Sequence, residues 1–349
     1  MQSGNEASSV AARAGQTVVA PATVRTIYEV LERRAGASPG ATAIAAPGRK
    51  PLTYDGLRRQ AERTARSLSS LGLKRNDRVA LVLPNGPEMA TAFLSIACHA
   101  SCAPLNPTYK SEEFEFYISD LQARALIVGK GMASPAREVA RKSNVPIIEL
   151  EAGEEAGTFT LSGANPAAAA DFAQPNDVAL LLHTSGTTSR PKLVPLGHAH
   201  VCQSGLNTAT TLSLVENDRC LNVMPLFHIH GLMGAVMASI TAGASLVCTP
   251  GLGPGRVFGW IAEFPPTGDT AVPANPPAGV ARAGRCLHPP RFSIRDPQAS
   301  ATGVLRPRRQ RCPEGHRVRA ARCRAGAAQP VRAQGGGGAA GGRLCHLRG

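Results

Sequence analysis

The sequence predicts an α/β fold built on mainly parallel sheets with helices on their faces, and three observations carry that expectation. Between Val24 and Phe264, short apolar runs alternate with stretches of helical period, the pattern of strands joined by crossover helices. Two of those runs, Val79–Leu83 and Val178–Leu182, are apolar without a break, as strands covered on both faces are. A turn dense in hydroxyl side chains follows the second run directly.

The elements follow in order. Residues 1–22 are small and polar, and form a loose N-terminal segment. Ile27, Val30 and Leu31 place a short amphipathic helix over Val24–Arg34, and Ala41–Ala46 is a strand closed by Pro47-Gly48. Leu52-Thr53-Tyr54-Asp55 leads into a helix with Leu57, Ala61, Ala65, Leu68 and Leu71 on one face, ended by Gly72. After the strand Val79–Leu83, Asn85 serves as a cap and Pro87 as a first-turn proline for a helix Glu88–Cys98. A helix Ser111–Leu121, a strand Ala125–Val128, a helix Ala136–Lys142 and a strand Val145–Leu150 continue the alternation. Glu151–Pro175 reads as a long connection before the strand Val178–Leu182. A helix His198–Leu214, a strand Cys220–Met224, a helix Leu232–Ile240, a strand Ser245–Cys248 and an amphipathic Val257–Phe264 complete the patterned part.

A chain of 349 residues suggests two or three subdomains, and 43% apolar residues can support a sizeable core. The net charge of +14 is unevenly spread: residues 265–349 hold 15 arginines, no lysine and three acids, while 1–264 hold 23 basic and 21 acidic residues. No apolar core in Met1–Ala20 is long enough for a secretory signal, and no run approaches the roughly 18 apolar residues of a membrane span. Cys98, Cys102, Cys202, Cys220 and Cys248 are scattered without C-x-x-C spacing, which fits reduced thiols in a cytoplasmic protein.

The chemistry concentrates in Thr184-Ser185-Gly186-Thr187-Thr188-Ser189-Arg190-Pro191-Lys192. Gly186 lets the backbone turn tightly and bring N–H groups to an anion. Thr184, Ser185, Thr187 and Thr188 add hydroxyl donors, and Lys192 adds a positive charge. Such a turn is a phosphate cradle, although Pro191 before the lysine separates it from the common G-x-x-x-x-G-K-[ST] loop.

This nine-residue stretch resembles the phosphate-binding loop of the adenylate-forming enzymes: acyl-CoA synthetases, luciferases and peptide-synthetase adenylation domains. Ser189 in the sixth place and His183 in front of the loop are similar to the oxalate–CoA ligase branch. Leu52-Thr53-Tyr54, Asp77-Arg78-Val79-Ala80, Leu83-Pro84-Asn85 and Pro104-Leu105-Asn106-Pro107-Thr108-Tyr109 fall in the family's order. Two positions depart from its pattern: Leu193 stands where a glycine is expected, and Gly197 where a threonine is usual.

The resemblance implies ATP, Mg²⁺ and coenzyme A as cofactors and a small carboxylic acid as substrate, with oxalate-like diacids first. Thr184, Ser185, Gly186, Thr187, Thr188 and Lys192 would then hold the ATP phosphates. Met224-Pro225-Leu226-Phe227-His228-Ile229-His230-Gly231 resembles the family segment that lines the acyl pocket, so His228 and Gly231 are substrate-side candidates. For His228 and His230 a purely structural role at a strand end is the alternative. A medium-chain or aryl acyl-CoA synthetase is the second enzyme reading.

The pattern stops near Pro273. Residues 274–349 hold one aromatic, Phe292, and no sustained apolar period. Cys312, His316 and Cys323 match no standard metal module. A nucleic-acid-binding protein using the arginine tail is an alternative of another class, opposed by the missing lysines and interleaved aromatics. Thr270-Ala271-Val272-Pro273 still resembles the family, where Ile-His-Gln follows after one residue. One permitted encoding of Ala274-Asn275-Pro276-Pro277, displaced by one base, reads Pro-Ile-His-Gln. The expectation is therefore a partial N-terminal adenylate-forming domain over 23–273, followed by an unstructured tail translated out of frame. The family's Y-G-x-T-E segment, ribose aspartate and C-terminal-domain lysine are not found, so neither half-reaction is expected from the 349 residues alone.

Overall fold

The expected alternation of strands and helices is present, in two mainly parallel sheets. The computed structural model describes residues 24–184, 191–251 and 255–269. The expected loose start 1–22 and the tail 274–349 lie outside them.

The chain opens with α1 (Ile27–Ala37), β1 (Thr42–Ala45), β2 (Leu52–Thr53) and α2 (Tyr54–Ser70). Then come β3 (Arg78–Val82), α3 (Pro87–Ala97), β4 (Ser101–Pro104), α4 (Ser111–Leu121), β5 (Ala125–Gly129), α5 (Pro135–Lys142), β6 (Ile147–Ala152) and β7 (Phe159–Leu161). After these follow β8 (Val178–Thr184), β9 (Lys192–Gly197), α6 (His198–Thr211), β10 (Arg219–Asn222) and a π-helix (His230–Met237). The last are α7 (Ala238–Ala242), β11 (Ser245–Cys248), α8 (Val257–Glu263) and β12 (Gly268–Asp269).

Among the described residues, one sheet runs β7-β6-β5-β3-β4-β8-β9 and the other β12-β10-β11-β1-β2. Strands β7, β9 and β2 pair antiparallel at the edges. Alternation along each strand sorts the side chains into layers. Val79 and Leu81 of β3, with Ile44 of β1 and Leu246 of β11, face a shared layer formed by α1, α2, α3, α6, the π-helix and α7. Ala80 and Val82 face the opposite way, onto Phe114 and Ile118 of α4 and Val139 of α5. On the other sheet, Ala45 and Val247 meet Val257 and Trp260 of α8. The result is five alternating layers.

Helix starts follow local chemistry. Thr26 caps α1 in a reciprocal box with Glu29, and the Thr53 hydroxyl accepts from Gly56 N–H to open α2. The expected Asn85 cap is corrected: Gly86 is the N-cap of α3, one residue closer to the helix. Asn85 is used elsewhere, as described below.

Five of the described strands went unread in the sequence, two of them the two-residue β2 and β12. β4 is Ser-Cys-Ala-Pro, wholly buried and without a β-branched or aromatic residue; its neighbours β3 and β8 make it a strand. β9 carries Pro195 and tolerates it because it is an edge strand. β7 lies in the stretch expected to be only a connection, with Phe159 and Leu161 buried on one face. The helix expected from Leu232 begins two residues earlier, as a π-helix.

Cys98, Cys102, Cys202 and Cys248 are buried free thiols. Burial pushes the Cys202 thiol up to about 12, far from the range of a reactive thiolate. No helix among the described residues is long and apolar enough to cross a membrane.

The junction between β9 and α6 contains a buried titratable group. His198 is fully buried, and its Nδ1 accepts a hydrogen bond from Ile27 N–H at 3.2 Å, joining α6 to the start of α1. Burial pulls the imidazole down to about 4, against a smaller opposing pull from Asp177. Below the unfolded value near 6.5 the unfolded chain takes up a proton that the folded chain does not. Stability from this group is therefore full above about pH 6.5, falls between 6.5 and 4, and is flat below 4, a loss of about 3 kcal/mol. Unfolding free energies measured from pH 8 to 4 should show this extra slope in the wild type and not in His198→Asn. Parallel curves for the two proteins would refute it.

Candidate active site

Two strand ends carry the residues singled out in the sequence, one on each sheet. The first is the hairpin between β8 and β9. Strand β8 pairs parallel to β4 and is buried along its first half, through Ala179, Leu180 and Leu181. Its start is anchored by Asp177, whose carboxylate accepts from Arg75 Nε at 2.8 Å, Asn76 Nδ2 at 2.8 Å and Gln174 N–H at 2.7 Å. Its end emerges into solvent. The antiparallel register runs from Leu180↔Leu196 to Thr184↔Lys192, so Thr184 and Lys192 face each other across the mouth of the turn.

Both are exposed, and the Thr184 hydroxyl lies 3.5 Å from the Lys192 carbonyl. No described residue forms an ion pair with Lys192. Ser185, Gly186, Thr187 and Thr188 lie outside the described residues. Leu193, the departure from the expected glycine, is half-buried in the strand and packs on the α4–α5 side of the core. There it covers apolar surface.

One side chain at this hairpin was noted in the sequence only as a branch signature. The His183 side chain is 6% exposed, and its Nε2–H donates to Asp120 Oδ2 of α4 at 2.9 Å. Tyr117 meets the imidazole edge-on at 4.7 Å and stacks on Tyr109, also at 4.7 Å. His183, one position before Thr184, is thus clamped to α4. The two partners are 63 positions apart, so no local pattern marks the pair.

The second strand end follows β10. The Asn222 side chain folds onto Met224, accepting from its N–H at 3.2 Å and donating to its carbonyl at 3.0 Å. Thr249, just beyond β11, donates its hydroxyl to the Asn222 carbonyl at 2.8 Å. Leu226 is fully buried, and its N–H donates to Asn85 Oδ1 at 2.9 Å. His228 follows on the surface, with its N–H 3.3 Å from the Pro225 carbonyl and its own carbonyl accepting from Leu232 N–H at 3.1 Å. The imidazole Nδ1 lies 3.4 Å from His230 N–H. That contact favours the tautomer with its proton on Nε2, facing solvent as a donor.

Gly231 is buried beneath this turn. A Cβ there would sit 2.5 Å from the Pro225 carbonyl oxygen, so only glycine allows the π-helix to start against it. The structure thus gives Gly231 a packing role, while His228 is the group presented outward.

A cleft of about 760 Å³ opens at the carboxyl ends of β1, β3, β5, β6 and β11, where open α/β sheets commonly bind ligands. Thr184, Lys192, His228 and Gly231 do not line it. Two of its cations are already engaged: Arg49 lies 3.1 Å from Glu88, and Lys130 lies 2.9 Å from Glu151. Among the described residues no group of three His, Cys, Asp or Glu could hold a metal ion. Near the hairpin, the Asp120 carboxylate is taken up by His183. The described residues therefore do not form a protein cage for Mg²⁺.

Two mainly parallel sheets around a shared helical layer, with a hydroxyl- and lysine-bearing hairpin at a strand end, define the N-terminal domain of an adenylate-forming enzyme. A family model described as AMP-binding enzyme matches residues 31–275, and the chain belongs to that family. It is similar to the oxalate–CoA ligase of Arabidopsis thaliana, 40% identical over 231 residues, covering 63% of this chain and 44% of that protein. The oxalate–CoA ligase of Saccharomyces cerevisiae is 37% identical over 207 residues, covering 52% and 38%. The chain thus spans less than half the length of these curated relatives. Among solved structures, apo MbtA from Mycobacterium smegmatis aligns with a TM-score of 0.60 at 27% identity, over 70% of this chain and 47% of that one. The inhibitor-bound N-terminal domain of FACL13 from Mycobacterium tuberculosis aligns with a TM-score of 0.58 at 26% identity, over 69% and 61%.

Two glycines give opposite expectations. Gly231→Ala should destabilise the protein by about 1–3 kcal/mol, because the obstacle is backbone and cannot rotate away. Gly197, the N-cap of α6, has ordinary backbone angles, φ −71° and ψ 160°. Its nearest neighbours to an added Cβ are at 3.5 Å and 3.6 Å, ordinary van der Waals contact with no clash. Gly197→Thr should therefore stabilise by about 0.5–1 kcal/mol, through a side-chain cap and a stiffer unfolded chain. Denaturant unfolding of both variants checks the signs; a neutral Gly231→Ala or a destabilised Gly197→Thr would contradict this packing.

Proposed function

We propose that this chain provides the phosphate-gripping and carboxylate-facing parts of an AMP-forming ligase that joins a small acid, oxalate-like in the first instance, to coenzyme A. The observation that carries the reading is the register of the β8–β9 hairpin, which sets Thr184 opposite Lys192 at an exposed strand end. In that chemistry a carboxylate oxygen attacks the α-phosphate of ATP, pyrophosphate leaves, and the thiol of coenzyme A then displaces AMP from the acyl group. The barrier is electrostatic, since one anion must approach another. Lys192 and Thr184, with the turn residues Ser185, Gly186, Thr187 and Thr188, would offset charge on the phosphates. His228 presents Nε2–H outward, where it would donate to a carboxylate oxygen. Mg²⁺ would enter with the nucleotide's phosphates.

A medium-chain or aryl acid is the second reading. Ile229, 38% exposed beside His228, is the observation in its favour, since an apolar tail would cover it.

Nucleotide binding by the 349-residue chain, followed by calorimetry with ATP and Mg²⁺, tests the first step. Saturable binding is expected, weakened roughly 10- to 100-fold by Lys192→Ala, as for removal of one charge-assisted contact. No saturable binding, or equal binding by the variant, would withdraw the assignment. Competition by oxalate against hexanoate and benzoate at the His228 ring, read by NMR, separates the two acid classes. Carboxylate-dependent pyrophosphate exchange by these residues alone is expected to be absent, because the motifs assigned to the α-phosphate are not in the sequence. Exchange above a no-enzyme control would overturn that part.

A further inference from the structure

Asn85 holds an unusual position between the two strand ends. It follows β3, on the sheet that carries the phosphate hairpin, yet its side chain spends both polar atoms on the other sheet. Oδ1 accepts from Leu226 N–H at 2.9 Å, and Nδ2 donates to the Thr249 carbonyl at 2.9 Å. These partners lie 141 and 164 positions away in sequence. Leu226, Asn222 and Thr249 are fully buried, so an orphaned amide or carbonyl here could not turn to water.

Other contacts that shape the segment come from its own sheet. Asn222 holds Met224, Thr249 holds Asn222, and Gly231 rests on Pro225. They shape the Met224–His228 turn without locating it relative to the hairpin. Asn85 supplies a polar link to that turn from the β3 side, directly before Gly86 and Pro87 at the head of α3.

We propose that Asn85 is a positioning residue for the carboxylate-facing segment, setting the His228 imidazole relative to the nucleotide hairpin by bridging the two sheets. The proposal rests on the ligase reading for its functional meaning, but its geometry can be tested without it. Asn85→Ala removes both bonds. Asn85→Asp keeps an acceptor for Leu226 N–H and loses the donor to Thr249.

The experiment uses the 349-residue chain, with amide hydrogen exchange and histidine ring NMR on wild type and both variants. In Asn85→Ala, the Leu226–Leu232 amides should exchange at least 10-fold faster, and the ring signals of His228 and His230 should move. Amides of β3 and β8 and the His183 ring should stay in place, and ATP affinity should remain within twofold. Asn85→Asp should restore most of the Leu226 protection. Unchanged Leu226 exchange, or exchange raised uniformly across the chain, would overturn the proposal, as would Asn85→Asp behaving like Asn85→Ala. Absence of ATP binding by the wild type would bring down the ligase reading alone, since Leu226 exchange still decides the role of Asn85.

Discussion

The helical layer shared by the two sheets is the constraint on which everything else depends. Parallel strands cannot be joined by tight turns; each crossover puts a helix on a face of the sheet. Here both sheets send crossovers into the same space. Ile27 and Leu31 of α1, Leu57 and Leu68 of α2, Phe93 and Leu94 of α3 and Ile240 of α7 are buried there together. Each sheet therefore supplies one wall of the other's core, and neither could bury its inner face alone. The buried polar contacts across this layer are few and directional. His198 meets the first turn of α1, and the Tyr54 hydroxyl donates to the Ala244 carbonyl at 2.7 Å. Such bonds add little net energy when made, but leaving one partner unpaired is costly, so they fix how the elements register.

That arrangement explains where the candidate site falls. Strands running the same way end at the same edge, so β3, β8, β10 and β11 release their loops toward one side of their sheets. Side chains there are freed from ladder geometry and can face solvent, while the strands behind them stay rigid. Thr184 and Lys192 are oriented by ladder pairing, His183 by its bond to α4, and His228 by a turn packed on Gly231. None depends on a long unsupported loop.

Much of this was legible in the sequence because periodicity reports burial directly. The helices and central strands carry strong apolar periods, and their placement agrees with expectation to within a few residues. Failures occur where burial is enforced by neighbours instead of by local pattern. Ser101–Pro104 has no strand character of its own, and Lys192–Gly197 contains a proline that only an edge position excuses. The hairpin stood out in the sequence by its residue types, with hydroxyls, a glycine and a lysine at short spacing. Its partner contacts did not. Asn85 looked like a helix cap because local rules consider only adjacent residues, and its true partners come from two distant strand ends. The His183–Asp120 pair escaped notice for the same reason.

The departures at Leu193 and Gly197 sharpen the same point. Leu193 stands where the family pattern has a glycine. In the strand it packs on the α4-side core cluster that Tyr109 and Tyr117 also border, and Tyr117 contacts His183. Gly197 forgoes a side-chain cap, yet α6 is held at its first residue by His198, whose own N–H donates to the Asp177 carbonyl at 3.1 Å. One buried histidine thereby joins β8, α6 and α1, and a cap would be redundant for fixing the position of α6. Both substitutions are absorbed by contacts made at a distance, which is why a motif pattern alone misjudges their effect on the hairpin.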